Sequence, residues 1–181
     1  MKTPPLLILG AVLVFVSGRI RETMEKMDKE KLTKFLLKAR TKTYAGSGGK
    51  VKPAFAGSDQ LEYAEGDLLY RDVYYTGNGI FMGLETVYAG EKPVLSVSYY
   101  GNFKKMTEEE VDGVLRQALL AESETARTWK KAEWKKGEYE YTCDPDADGM
   151  SIDEFAGLER ILKNGEEVYR FFYAGGVIAK D

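Results

Sequence analysis

Two glutamates sit among apolar neighbours. Side chains of an extended chain alternate, so Phe81, Gly83, Glu85 and Val87 share one face, as do Phe155, Gly157, Glu159 and Ile161. A carboxylate in such company needs a partner or a shifted pKa. Two readings follow. The pair lines one pocket near a pseudo-twofold axis, where carboxylates serve as ligand contacts or as a general acid and base. Alternatively each Glu accepts hydrogen bonds from an Arg or a Tyr hydroxyl, with Arg71 as an obvious donor, because structural ion pairs mimic sites. A second cluster is aromatic: Tyr63, Tyr70, Tyr74, Tyr75, Tyr88, Tyr99 and Tyr100 are interleaved with Glu62, Asp67, Arg71 and Asp72. It suits a sheet face offering hydroxyls to a ligand, and equally a core with satisfied hydroxyls. Third, Asp144, Asp146, Asp148 and Gly149 open like a calcium loop, but the twelfth position, where a bidentate Glu belongs, is Phe155. An exposed hairpin turn uses the same residues, so these aspartates are a weak metal candidate and no metal or other cofactor is assigned.

Several chemistries are closed. The chain has no histidine, which removes His-based triads, His–metal sites and the usual base near neutral pH. Cys143 is the only cysteine, so there is no intrachain disulfide and no thiolate zinc cluster. A net charge of −3 and scattered Lys and Arg give no reason to expect nucleic acid as a partner.

The elements that position these residues come in two sets. A shift of 74 positions lays Phe81, Gly83, Leu84 and Glu85 on Phe155, Gly157, Leu158 and Glu159, and carries Tyr99 to Tyr173 and Gly101 to Gly175. Gly66–Tyr70 resembles Gly137–Tyr141 at a slightly shorter offset, which places an insertion, Asp144–Gly149, at the second set's first hairpin. Leu32, Phe35, Leu36 and Ala39 predict a helix capped by Asp28 and running to about Arg40. Thr107 and Glu110 form a capping box for a second helix ending near Glu122. Strands are expected at Leu61–Tyr63, Leu68–Thr76, Ile80–Tyr88 and Val94–Tyr100, then at Tyr139–Cys143, Ile152–Leu162 and Glu167–Tyr173. Asn78-Gly79 and Asn164-Gly165 mark tight turns. The segment from Ser123 to Lys136 reads either as a weak helix or as a covering loop.

The start stands apart. Leu6–Val16 is apolar except for Gly10, too short to span a bilayer comfortably and followed by Arg19, Arg21, Lys26 and Lys29. Three readings stay open: a signal peptide, a membrane anchor or weak membrane association through residues 6–18, and an over-extended start whose true beginning is Met24 or Met27. The expectation is a cytoplasmic body, with secretion or anchoring as the alternative. Residues 1–27 are then a separate segment, and residues 28–181 one duplicated domain.

The strings FLLKARTKTYAGSG, GSDQLEYAEGDLLYRDVYYTG and FMGLETVYAGEKPVLSVSYYG, with FAGLERILKNGEEVYRFFYAGGVI, resemble domain-of-unknown-function family 5680 over about Leu32 to Ile178. Similar domains can follow a helix-turn-helix in bacterial regulators, so the resemblance implies a sensing or effector role; no such DNA-binding segment is evident here.

The expected fold is α+β: two α-β-β-β units form a largely antiparallel sheet with both helices on one face and the other face partly covered or concave. The first functional expectation is a small-molecule-binding or sensory module with a site built from Tyr63, Tyr70, Arg71, Asp72, Glu85, Tyr99 and Glu159. The alternatives are an enzyme using Glu85 or Glu159 in acid–base chemistry and a structural protein that forms a homodimer through its sheet. A pocket holding both Glu favours the first two; a filled interior with both Glu on Arg favours the third.

Overall fold

A computed structural model of the chain describes residues 28–179. Helix α1 (Lys29–Lys42) starts where Asp28 accepts hydrogen bonds from the Glu30 and Lys31 amides, and it buries Leu32, Phe35, Leu36 and Ala39. Helix α2 (Glu108–Ala121) starts on the Thr107–Glu110 capping box and buries Val111, Val114, Leu115, Ala118 and Leu119. Four strands follow each helix. They are β1 (Asp59–Glu65), β2 (Leu68–Gly77), β3 (Ile80–Ala89) and β4 (Lys92–Asn102), then β5 (Ala132–Lys136), β6 (Tyr139–Pro145), β7 (Phe155–Lys163) and β8 (Glu166–Val177).

All eight strands join one antiparallel sheet in the order β1-β2-β3-β4-β8-β7-β6-β5. The two last strands meet at its centre, with Tyr99 directly opposite Tyr173. Asn78-Gly79 and Asn164-Gly165 turn β2 into β3 and β7 into β8, all four residues at positive φ as a two-residue hairpin of this type requires. Tyr70, Asp72, Glu85, Val97 and Tyr99 share the face on which both helices lie, since α1 packs on β1 and β2 and α2 on β5 and β6. The core between them holds Val87, Leu95, Phe155, Ile161 and Phe171.

Three expectations need correction. Each helix is followed by four strands, not three. The unforeseen strand, β5, is an edge strand made of Ala132–Lys136, and its charges hide the alternation while protecting the open edge. It ends the ambiguous segment, whose earlier part, Ser123–Thr128, is turns rather than helix. β7 begins at Phe155 rather than Ile152, because Ile152 caps the sheet by accepting from the Val177 amide. The face away from the helices is more open than its apolar content suggested: Tyr75, Met82, Tyr100 and Phe172 stand in one cross-strand row at 39 to 49% exposure. Among the described residues no helix is long and apolar enough to cross a membrane. The apolar run Leu6–Val16 lies outside them.

Candidate functional site

Both glutamates are buried, and each is held by one arginine, Glu85 also by one tyrosine and Glu159 by two. Arg40, in the last turn of α1, donates from Nε to Glu85 Oε2 at 3.0 Å, and the Tyr70 hydroxyl donates to Oε1 at 3.0 Å. Arg127 donates from Nε and Nη2 to the two Glu159 oxygens, each at 2.9 Å. The Tyr141 and Tyr169 hydroxyls add bonds of 2.7 and 2.8 Å to Glu159. The pairs touch, because Arg40 Nη1 donates to the Arg127 carbonyl at 2.7 Å. Burial opposes the Arg127 charge, yet Glu159 outweighs it and holds the guanidinium well above its usual pKa. Burial, then Glu85 and Glu159, push the Tyr70 and Tyr141 phenols well up, so both stay neutral donors.

Arg71 is not the donor to Glu85. It follows Tyr70 by one position and so points to the opposite face, where it pairs with Glu62 at 2.7 Å and lies over the Tyr88 ring. Arg40 fills the role because it shares the buried stripe of α1 with Leu36.

Next to Glu85 the register places Asp72, 6% exposed. The Tyr99 hydroxyl donates to its Oδ1 at 2.6 Å, and among the described residues this is its only hydrogen bond. Burial, and then the Glu85 charge, raise the Asp72 carboxyl from 3.8 to about 7; Tyr99, Arg127 and Arg40 pull the other way. Tyr99 reaches Asp72 by crossing Gly83, where any Cβ would come within 2.4 Å of the hydroxyl. Gly157 clears the same path for Tyr173, whose hydroxyl lies 3.3 Å from Cys143 Sγ and donates to the Thr128 carbonyl at 2.8 Å.

Asp72, Glu85 and Tyr99 form part of the wall of a cavity of about 410 Å³. Tyr74 and Phe81 extend that sheet wall, Arg127, Tyr169 and Phe171 close one side, and α2 roofs it with Val111, Leu115, Asp112 and Arg116. Asp112 is spent on the Tyr44 hydroxyl at 2.8 Å and on Arg116 at 3.0 Å. Tyr70 borders a much smaller void, of about 30 Å³, shared with Asp72 and Glu85. Glu159 does not line the larger cavity, although its partner Arg127 does. Tyr63 stands away from it against Phe35, with ring centroids 5.8 Å apart. Of the seven expected site residues, then, three meet in this cavity, Tyr70 lies just behind, and Tyr63, Arg71 and Glu159 are elsewhere.

Sequence reasoning missed Asp112, Arg116 and Arg127 as site residues. The first two carried a signal, since they stand one helical turn apart beside the Val111–Leu115 stripe. Arg127 carried none: it sits in the turns after α2, with φ at 58°. Asp144 faces Lys131 and Arg160 at 3.7 and 3.8 Å, and Asp146 and Asp148 are exposed. Among the described residues no group of three or more His, Cys, Asp or Glu could hold a metal.

The class this architecture defines is an α+β protein whose two helices roof one face of an antiparallel sheet and enclose a polar cavity. Residues 72–178, more than half of the chain, match the domain-of-unknown-function family DUF5680, and the chain belongs to that family. No curated protein and no solved structure matches it.

Proposed function

We propose that this chain is a small-molecule-binding or sensory module whose ligand occupies the cavity between α2 and the sheet. One observation carries the reading: a carboxyl buried to 6% exposure, with a single hydrogen-bond partner, forms part of the wall of a 410 Å³ space. A protein whose interior served packing alone would gain by replacing Asp72 with an apolar residue. Duplication of the domain is a second part of this proposal. It is supported by the 74-position match and by two parallel sets of contacts, Tyr70 on Glu85 with Tyr99 over Gly83, and Tyr141 on Glu159 with Tyr173 over Gly157. Acid–base catalysis by Glu85 or Glu159 has less support, because both oxygens of each already accept from Arg and Tyr donors.

Native mass spectrometry of the protein purified from its own host tests the reading, beside Val111→Phe, which fills the cavity from α2. A small molecule retained by the parent and lost from the variant is expected. A bare chain in both, with no fragment shifting the Tyr74 resonances in an NMR screen, would overturn it. Self-association through the open face is a second reading, favoured by the Tyr75, Met82, Tyr100 and Phe172 row. Light scattering of Met82→Glu against the parent decides it: a monomeric parent excludes this reading.

A further inference from the structure

The polar groups around the cavity divide into those already satisfied and those left open. Five carboxylates and two guanidiniums line it. Glu85 is held by Arg40, Asp112 by Arg116, and Asp59 lies 2.9 Å from Lys50; Glu108, in the first turn of α2, is exposed. Arg127 is committed to Glu159 and stacks on the Phe171 ring at 4.2 Å; Arg116 stacks on Tyr44 at 4.3 Å. The cavity's cations are therefore spent on its own acids and rings. What stays open away from solvent is Asp72, with one oxygen taken by Tyr99, and beside it the Tyr74 hydroxyl, which makes no hydrogen bond among the described residues. Both are suited to accept from a donor, and the rings of Tyr74, Phe81 and Tyr99 supply the apolar wall.

We infer that the ligand carries a protonated amine, or a comparably compact organic ammonium group, whose charge sits on the Asp72 carboxylate beside the Tyr74 hydroxyl. This rests on the binding-module reading above and names the class of molecule that would fill the site. An anionic ligand meets an excess of carboxylates and no uncommitted guanidinium. A divalent metal ion needs about six or more oxygen ligands and would have one buried uncommitted carboxylate here, Asp72, since Glu108 is exposed at the start of α2. An ammonium group needs one carboxylate, one or two further acceptors and an aromatic wall, and the cavity has these.

The electrostatics of the cavity agree. Around Asp72 stand Tyr70 and Tyr74 from its own strand, Asp59 from β1, Glu85 from β3, Tyr99 from β4, Arg40 from α1, Arg127 from the turns after α2, and Glu108, Asp112 and Arg116 from α2 across the cavity. Burial and Glu85 leave its carboxyl half-protonated at about pH 7, and a bound cation relieves both effects. Binding therefore drives off the Asp72 proton, and affinity falls by about tenfold for each pH unit below that point.

A matched set of probes tests the class: benzylamine, benzyl alcohol and benzoate place an ammonium, a hydroxyl and a carboxylate on one frame. Titration calorimetry and NMR on the whole chain are expected to show benzylamine binding roughly ten- to hundredfold more tightly than benzyl alcohol, the worth of one charge-assisted hydrogen bond. The same experiments should show benzylamine shifting the Tyr74 resonances. Asp72→Asn should abolish that preference, and Tyr74→Phe, which keeps the ring and the fold, should weaken it. Benzoate or benzyl alcohol binding in the cavity as well as benzylamine, or an ammonium preference that survives Asp72→Asn, would overturn the class while leaving a binding module. No binding of any probe, together with a bare chain from the native host, would overturn both.

Discussion

Asp72→Asn should make this protein more stable, and only where Asp72 is ionised. In the folded chain burial and the adjacent Glu85 raise the Asp72 carboxyl from 3.8 to about 7. A carboxyl whose folded pKa lies above its unfolded value binds its proton more tightly in the folded state. Its stabilisation is full below about pH 4 and is lost as pH rises through about 7. At about 1.4 kcal/mol per pH unit, that gap corresponds to at most about 4 kcal/mol. Asn keeps an acceptor for the Tyr99 hydroxyl and carries no charge. Urea unfolding followed by Trp129 and Trp134 fluorescence between about pH 5 and 8 reads the effect. The parent should lose stability steadily across this window, and Asp72→Asn should stay flat and end as much as about 4 kcal/mol above it. The absence of histidine makes the test clean, since no imidazole titrates there. A parent whose stability is level across the window, or an Asn variant that follows the parent's slope, would refute the reasoning.

The second buried pair should behave oppositely: Glu159→Gln leaves Arg127 enclosed without a counter-charge and should cost about 3–5 kcal/mol by urea unfolding, and a loss under 1 kcal/mol would show the pair to be dispensable. Gly83→Ala should cost about 1–3 kcal/mol and carry the pH-dependent loss of stability to higher pH, because its Cβ would meet the Tyr99 hydroxyl at 2.4 Å and push it off Asp72, whose pKa that bond holds down; a neutral variant with the parent's pH profile would contradict this. Calcium should leave the thermal midpoint unchanged, because the twelfth loop position is Phe155, 1% exposed and packed edge-on against Trp129; a rise abolished by Asp146→Asn would restore a metal role. Asp72→Cys should fold, match or exceed the parent's stability at pH 8 and lose the ammonium preference; failure to fold would make Asp72 a structural requirement.

The parts of the fold that were legible in sequence are those written in local chemistry. Asp28 and the Thr107–Glu110 box place the helix starts because capping is decided within four residues. Asn78-Gly79 and Asn164-Gly165 fix two hairpins because both residues of each turn need positive φ. β5 was illegible because an edge strand carries charge where the alternation should be read. The site was half legible. Asp72, Glu85 and Tyr99 stand out as polar groups in apolar strands, whereas their neighbours come from helices and turns that the register of the sheet does not reach. Arg40 and Arg71 show the limit: the charge partner of Glu85 depends on which face each arginine occupies, and strand parity alone already excludes Arg71.

The contrast between Asp72 and Cys143 bears on the proposal that the cavity takes a ligand. Glu85 stands opposite Asp72 in the sheet, and Glu159 stands opposite Cys143. Tyr99 crosses Gly83 to reach Asp72, as Tyr173 crosses Gly157 to reach Cys143. The second arrangement is complete in itself: Sγ accepts from the Arg127 amide at 3.2 Å, and all of Cys143 is enclosed. The same backbone geometry is thus built with an uncharged residue at the corresponding place, so folding does not require a carboxyl there. Asp72 instead sets a second negative charge against Glu85 beside an open space, an arrangement that weakens the fold near neutral pH and that a cation entering the space would reverse.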